Sequence, residues 1–272
     1  MPGEVVAARA AGAAGDAGVV LVTLRHTGRL NAMSRAMWRQ LRSVFESIQR
    51  NPDARCVLIE GADGAFCAGG DISEYPEFRF DAAALRDFHE NDVWGGLQAM
   101  LQCDVPIVAH IAGACMGAGV EIASCCDIRI AGSSARFGAP IARLGFPMAP
   151  REAQLVAGAV GDVTARQMLL EAATFSAVDM LARGFLSRVT EPGLLAADAL
   201  GTACRVAALA PQAARMNKQT FRALKSPVTH DGKAQEAIEN VANGTPDPYA
   251  YADSAEHREG IAAFLAKRPP VF

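Results

Sequence analysis

The sequence predicts an α/β protein in which alternating strands and helices form the core and a helical region follows. Short runs rich in β-branched residues alternate with segments of helical spacing up to about Pro150. From Arg151 onward, nearly every periodic segment has helical spacing. The chain has 272 residues, of which 51% are hydrophobic. This is enough to bury a large core in one domain with a small appendage.

Four short apolar runs in the first half predict buried strands. They are rich in valine, isoleucine and leucine and are bounded by turn residues. The predicted strands are residues 19–24, 56–59, 106–111 and 127–130. Between them, Ser34 is a candidate N-cap for a helix whose apolar residues share one face. A second helix is expected to end near Gln102, and an almost wholly apolar third helix spans residues 120–126.

Helical periodicity dominates the second half of the chain. The predicted helices are residues 153–159, 163–171, 177–183, 194–210, 211–225 and 255–267. At the other end, residues 1–16 are rich in alanine and glycine and are interrupted by charges. A secretory signal needs a positive start and a continuous apolar stretch, so this segment predicts a flexible N-terminal lead.

Composition excludes several classes of function. The net charge is -3, and no basic stripe interleaved with aromatic residues suggests nucleic-acid binding. No apolar run approaches the ~20 residues of a membrane-spanning helix, which predicts a cytoplasmic protein with no membrane partner. The seven cysteines are odd in number and include no C-x-x-C pair, which favours buried free thiols over disulfides or a metal site.

Two glycine-rich turns, each following a predicted strand, are the candidates for chemistry. The first turn is residues 65–72 and the second turn is residues 113–121. Neither has the lysine of a phosphate loop, the third glycine of a dinucleotide fingerprint or the serine of a hydrolase elbow. Small residues leave backbone N–H groups uncovered, so two adjacent turns could form an oxyanion hole. The alternative is that both are tight turns packed for reasons of folding.

Several motifs, in one order along residues 17–272, resemble the crotonase (enoyl-CoA hydratase/isomerase) superfamily. The first turn reads A-F-C-A-G-G-D-I, and the second continues as G-A-C-M-G-A-G-V-E-I-A-S-C-C-D-I-R-I. The other similar elements are L-N-A-M at residues 30–33, F-G-A-P at 137–140 and E-G-I-A-A-F-L-A-K-R at 259–268. Their number and spacing are specific for the family, but they do not specify one reaction.

The resemblance implies a fold and an assembly. It implies a spiral core of repeated ββα units over residues 17–200 and a helical trimerisation and CoA-contact region over residues 201–272. It also implies a homotrimer or a dimer of trimers that binds an acyl-CoA thioester. No metal or redox cofactor is implied, since coenzyme A enters as part of the substrate.

The same resemblance assigns the reacting groups. The backbone N–H groups of Ala68 and Ala118 match the two oxyanion donors, and Glu121 matches the first catalytic glutamate. Alanine can serve as a donor provided that its φ is negative. Burial of Glu121 in an apolar helix should raise its pKa towards a useful range. The alternative role for Glu121 is a buried carboxyl group that holds a nearby loop.

The chain departs from the family at the second glutamate. That position, directly after the proline of F-G-A-P, is Ile141, and the following loop lacks the family's P-G-x-G-G-T sequence. Efficient hydration by two glutamates is therefore in doubt. Four nearby residues, Glu152, Glu90, Asp92 and His89, are possible substitutes, although each fits a solvated surface group better.

The resemblance also places residues at the CoA thioester. Arg29 and Lys267 match phosphate contacts, and Phe264 matches a contact to the pantetheine arm that a neighbouring subunit could supply. The remaining expected contacts are Ala68, Gly69, Gly70, Asp71, Ile72, Gly119 and Ile141. The expected reaction is hydration/dehydration or double-bond isomerisation. The alternatives are an acyl-CoA decarboxylase or hydrolase, or an acyl-CoA-binding protein without activity.

Overall fold

A computed structural model describes residues 2–10, 18–224, 249 and 251–272. Its strands are β1 Glu4–Arg9, β2 Val19–Arg25, β3 Cys56–Gly61, β4 Ile107–Ile111, β5 Ala114–Met116, β6 Ile128–Gly132, β7 Arg136–Gly138, β8 Thr174–Ser176 and β9 Arg188–Thr190. They form a six-stranded sheet of order β1-β2-β3-β4-β6-β9 and a three-stranded sheet of order β5-β7-β8. In the larger sheet only β1 is antiparallel to its neighbour. The predicted α/β core is therefore present.

The helices cover both faces of the larger sheet and continue beyond it. They are α1 Arg35–Arg50, α2 Ala82–Asp87, α3 Trp94–Gln102, α4 Ala118–Ser124, α5 Pro150–Val160, α6 Asp162–Leu170, α7 Ala177–Ala182, α8 Pro192–Ala207, α9 Pro211–Leu224 and α10 Ala255–Leu265. A π-helical turn, Phe88–Val93, joins α2 to α3, and short 3₁₀ turns span Ile72–Glu77 and Ile141–Leu144. Such π turns occur often at functional sites.

Local sequence explains the first helix and the sheet. The Ser34 side chain accepts a hydrogen bond from the Met37 N–H at 3.2 Å, so Ser34 is the N-cap that the sequence predicted. The apolar face of α1 is buried in the main core. Strand β3 begins with four consecutive buried residues, as expected for a central parallel strand covered on both faces.

Helix α8 forms the second layer of the core and crosses the predicted domain boundary at residue 200. Its buried residues include Leu195, Ala199 and Ala203, which pack with Leu58 of β3 and Val108 of β4. A boundary at residue 200 would cut this continuous helix. The reason is physical: the small side chains of α8 fit closely against the outer face of the sheet, so the whole helix belongs to the core.

The N-terminal lead predicted as flexible contains an ordered strand. Residues 4–9 pair with β2 along their length, from Glu4 opposite Arg25 to Arg9 opposite Val20. Val5 is buried, whereas the remaining side chains of β1 are exposed. Strand β1 lies at the edge of the sheet, pairs only with β2 and buries one residue. Because it needs so few apolar residues, its sequence could not be distinguished from that of a loop. Residues 1 and 11–16 of the predicted lead lie outside the described residues.

The thiol prediction is confirmed, since all seven cysteines are free and six of them are buried. Within the described ranges, no three metal-ligating side chains cluster together. Nor is any single described helix long and apolar enough to cross a membrane. Only together do helices α8 and α9 reach the length and apolar composition of a membrane span, and the chain bends by 104° between them.

Candidate active site

The two glycine-rich turns lie side by side. The Met116 N–H donates to the Cys67 carbonyl oxygen at 2.8 Å, and the Cys67 N–H donates to the Ala114 carbonyl oxygen at 2.9 Å. A Cβ atom on Gly119 would lie 2.4 Å from the Cys67 carbonyl oxygen. Glycine at position 119 therefore permits the close approach of the turns, and Gly119 itself does not reach the cavity described below.

In the first turn, the structure contradicts the predicted donor role of Ala68. The Ala68 N–H already donates to the Leu30 carbonyl oxygen at 3.0 Å. Gly70 forms a parallel bridge with Met33, in which the Gly69 carbonyl oxygen and the Asp71 N–H bond to Met33. Since successive peptide groups of an extended segment point in opposite directions, the Gly70 N–H faces away from Met33. It has no acceptor among the described residues, which makes Gly70 the candidate donor.

In the second turn, the geometry fits Ala118 as a donor. Ala118 is the first residue of α4, and the N–H groups of a helix's first turn have no acceptor within the helix. The preceding Gly117 has a φ of 48°, which turns the chain into the helix, whereas the φ of Ala118 is not positive. Ala118 therefore meets the requirement that an alanine donor have a negative φ.

Both turns open into a cavity of about 330 Å³. Seven of the predicted site residues line it: Ala68, Gly69, Gly70, Ile72, Ala118, Glu121 and Ile141. Most of the rest of the wall is aromatic or aliphatic, with Trp38, Tyr75, Phe88, Val93, Met116, Phe146, Pro147 and Met148. Such a wall with a few convergent polar groups is typical of a small-molecule site.

Glu121 is a buried carboxyl group at this cavity. Every residue of α4 is buried, and Glu121 is only 7% exposed. Its side chain has no hydrogen-bond partner within the described part of the chain. Burial raises the pKa of Glu121 well above its usual range, and the nearby charge of Glu152 raises it further. Glu121 therefore favours the protonated state, as a general acid requires.

A second carboxyl group reaches the cavity from α5. Glu152 lies in the first turn of that helix, is 3% exposed and lines the cavity wall. Its Oε1 atom is 2.9 Å from Nδ1 of His89, which the π-helical turn carries. Ile141 also lines the wall and supplies only an apolar surface. The carboxyl pair is thus Glu121 and Glu152, and sequence reasoning had considered Glu152 and His89 only as possible substitutes.

The other two acidic candidates lie outside the cavity. Asp92 is buried and bonds to the guanidinium groups of Arg35 at 2.6 Å and Arg39 at 2.7 Å. Glu90 forms an exposed ion pair with Arg151 at 3.0 Å. Asp92 therefore stabilises the helix packing, and Glu90 is the solvated surface group that the sequence favoured.

The predicted CoA contacts beyond the cavity fall into two groups. Arg29 pairs with Asp71 at 3.1 Å, and roughly half of the Arg29 side chain remains exposed. Burial alone would raise the pKa of Asp71, but hydrogen bonds from Ser73 and the charge of Arg29 lower it. Phe264, on α10, and Lys267, just beyond that helix, are exposed and lie off the cavity wall of their own chain.

Sequence reasoning missed an arginine at the cavity. The guanidinium carbon of Arg79 lies 3.5 Å from the centre of the Phe146 ring and 4.6 Å from that of Tyr75. Residues 73–83 have low periodicity and lie in a polar stretch, so the sequence carried no signal that Arg79 points inward. The aromatic partners come from distant parts of the chain.

Comparison with known proteins places this site in a family. The profile described as enoyl-CoA hydratase/isomerase matches residues 14–272. A Mycobacterium bovis protein named "probable enoyl-CoA hydratase" is 31% identical over 94% of this chain and 95% of its own. The 2,3-dehydroadipyl-CoA hydratase of Escherichia coli is 31% identical over 93% of this chain and 94% of its own.

A solved structure agrees with these relatives. The crystal structure of an enoyl-CoA hydratase/carnithine racemase from Magnetospirillum magneticum superimposes with a TM-score of 0.85 at 32% identity, covering 94% of this chain and 92% of that one. The predicted crotonase-type fold is thereby confirmed. The chain belongs to the enoyl-CoA hydratase/isomerase family.

Proposed function

We propose that this chain is an acyl-CoA enzyme that hydrates an enoyl-CoA, or shifts its double bond, through a thioester enolate. The observation that carries the proposal is the pair of buried carboxyl groups, Glu121 and Glu152, in the cavity beside two uncommitted backbone N–H groups. The family and the names of the relatives support an activity on acyl-CoA thioesters. The choice between hydration and isomerisation is part of the proposal.

The backbone N–H groups of Gly70 and Ala118 would bind the thioester carbonyl oxygen. Hydration adds oxygen at C3, and isomerisation removes a proton from a carbon whose electrons can delocalise onto the carbonyl. Either step places negative charge on the thioester oxygen. Two preorganised donors stabilise this charge more in the transition state than in the ground state. Removing one donor of such a pair typically costs about 3 kcal/mol of transition-state stabilisation.

The two carboxyl groups would divide the proton transfers of hydration. Glu152, oriented by His89, takes a proton from water as the oxygen bonds to C3 of the enoyl group. The electron pair of the C2–C3 double bond moves towards the thioester, and the enolate forms. Protonated Glu121 then donates its proton to C2. Glu152 returns its proton to Glu121 through the cavity or solvent, so the cycle balances.

This assignment explains how the chain could retain two-carboxylate chemistry with Ile141 in place of a glutamate. The raised pKa of Glu121 suits the acid, whereas Glu152 has a hydrogen-bonding partner that suits the base. A non-catalytic binding protein has no evident need for two buried carboxyl groups in its ligand cavity. The pair therefore favours an enzyme over a binding module.

The assembly is also a proposal. A homotrimer or a dimer of trimers would explain the exposure of Phe264, since a neighbouring subunit could use it and Lys267 to contact CoA. Arg29, beside the first turn, would contribute to phosphate binding. The residues assigned to the chemistry require no metal or redox cofactor.

The test is turnover of a panel of enoyl-CoA thioesters by the wild type and three glutamine variants. Glu121→Gln and Glu152→Gln should each lower kcat by about 10²- to 10⁴-fold, because each removes one proton-transfer group. Glu90→Gln is the matched control, since Glu90 forms only an exposed ion pair.

Unchanged turnover in Glu121→Gln would rule out the acid/base assignment. Release of free CoA thiol from the panel would instead indicate a hydrolase, and release of carbon dioxide a decarboxylase. Binding of thioesters with no turnover of any kind would support the binding-protein alternative.

A further inference from the structure

Arg79 is a half-buried cation with no anionic partner. It lines the cavity, and within the described part of the chain its guanidinium donates no hydrogen bond and forms no ion pair. Arg35, also half-buried, shows the usual arrangement, since it bonds to Asp92 at 2.6 Å and to Asp87 at 3.0 Å. A charge held partly out of water without a partner is unfavourable, so such positions commonly serve a ligand.

The aromatic neighbours of Arg79 leave its hydrogen-bonding edge unused. Phe146 and Tyr75 lie against the guanidinium at ring-centre distances of 3.5 and 4.6 Å. These cation–π contacts position the cation, and none of its five N–H donors has a hydrogen-bond acceptor among the described residues. A guanidinium presents these donors in a planar fork that matches the two oxygens of a carboxylate.

Glu152 does not occupy that fork. Its Oε1 atom is committed to His89 at 2.9 Å, and no ion pair joins it to Arg79. The two charges are nevertheless close enough to interact, since burial lowers the pKa of Arg79 while Tyr75 and Glu152 raise it. Arg79 and Glu152 thus line the same cavity, and the N–H donors of Arg79 remain available.

The position of Arg79 relative to the reacting groups suggests which part of a substrate it meets. The thioester oxygen belongs at Gly70 and Ala118, and Glu152 belongs at C3, under the function proposed above. Arg79 and Phe146 line the same cavity as Glu152, so we assign their part of the wall to the acyl chain beyond C3.

We propose that Arg79 binds a carboxylate at the far end of the acyl chain, so that the preferred substrates are acyl-CoA thioesters with a terminal carboxyl group. This inference rests on the proposed function for the direction of the acyl chain. The same cation could also meet an anionic phosphate of CoA, and the experiment separates these two sources.

The experiment measures binding, because binding needs no chemistry. Isothermal titration compares saturated acyl-CoA thioesters of four, six and eight carbons, each with either a terminal carboxylate or a terminal methyl group. The proteins are the wild type, Arg79→Gln and Arg86→Gln. Arg86 is an exposed arginine of α2 off the cavity wall, so its variant controls for the loss of one positive charge.

At one or more chain lengths, the wild type should bind the carboxylate thioester about tenfold or more tightly than its methyl partner. A charge-assisted hydrogen bond accounts for this factor. Arg79→Gln should remove most of that preference and leave the affinity for the methyl thioester nearly unchanged. Arg86→Gln should retain the wild-type preference.

Equal affinities in the wild type at every length would overturn the proposal, whether or not the variant folds. An equal loss for both thioesters in Arg79→Gln would also overturn it and would point to a CoA phosphate. Failure of the proposed function is a separate result, since it would appear as unchanged turnover in Glu121→Gln while the binding comparison could still be read.

Discussion

Glu121 shows at the scale of one residue how burial can prepare a group for chemistry. An ordinary glutamate has a pKa of about 4.3 and is ionised near neutral pH. In α4 the apolar surroundings and the nearby Glu152 raise the pKa of Glu121. The protonated form of Glu121 is thereby available to an acyl group in the cavity. It lowers the free energy of unfolding once the solution pH exceeds the pKa of Glu121 in the unfolded chain.

This cost predicts a pH-dependent effect of Glu121→Gln on stability. Above about pH 4.3 the unfolded chain releases the Glu121 proton, whereas the folded chain retains it. The free energy of unfolding of the wild type therefore falls as pH rises towards the raised folded pKa. The glutamine variant lacks this loss, so it should match the wild type near pH 4 and become the more stable protein by pH 8.

Urea unfolding at pH 4, 6 and 8 measures this difference. Glu90→Gln serves as the control, because Glu90 is exposed and its removal should give a small difference at each pH. A stability difference between Glu121→Gln and the wild type that does not change with pH would contradict the raised pKa of Glu121.

The same scale shows where sequence reasoning was insufficient. It identified Glu121 and Ala118 from motifs, but it assigned the first donor to Ala68, whose N–H bonds to Leu30. The hydrogen-bonding direction of one peptide group depends on the neighbouring strand, which the motif does not contain. Glu152 and Arg79 lie outside the family's motifs, and only the folded chain brings them to the cavity.

At the scale of elements, the site depends on how closely the two glycine-rich turns approach each other. The contact between the second turn and the Cys67 carbonyl oxygen fixes the spacing of the Gly70 and Ala118 N–H groups. Both groups must reach one oxygen atom, so a small displacement of either turn would weaken the proposed oxyanion hole.

A methyl group added at the contact should separate the turns. In Gly119→Ala the new Cβ would lie 2.4 Å from the Cys67 carbonyl oxygen, a backbone atom that cannot rotate away. We expect a loss of about 1–3 kcal/mol in the free energy of unfolding, as for other overpacked sites. We also expect kcat to fall, since the Ala118 N–H would move away from the thioester.

Gly158→Ala is the matched control for this prediction. Gly158 lies within α5, and a Cβ there would meet nothing within 4 Å. Replacing a helical glycine by alanine should stabilise the protein by roughly 0.5–1 kcal/mol. Chemical denaturation and kcat are measured on both variants. A Gly119→Ala protein as stable and as active as Gly158→Ala would show that this contact does not set the spacing of the turns.

At the scale of the whole molecule, the arrangement of the fold follows closely from the sequence. The four predicted strands correspond to β2, β3, β4 and β6, because consecutive β-branched residues leave few alternatives to a buried strand. Strands β5, β7, β8 and β9 were missed within the described residues because each has only three residues. Such short strands are stabilised by their partners.

The C-terminal region shows a different limit of prediction. The predicted helices 194–210 and 255–267 correspond to α8 and α10. The sequence did not indicate that α8 packs on the sheet, since its alanine-rich face carries little hydrophobic periodicity. Much of the predicted segment 211–225 is α9, and residue 225 lies outside the described residues. Association into trimers stays a prediction.

The central claim is that Glu121 exchanges a proton with C2 of a thioester held by the Gly70 and Ala118 N–H groups. Incubation of saturated and unsaturated acyl-CoA thioesters in deuterated water, followed by mass spectrometry, tests it most directly. We expect deuterium at C2 of a turned-over or exchanging thioester with the wild type, and a loss of that label in Glu121→Gln. Equal deuterium incorporation by both proteins would contradict it.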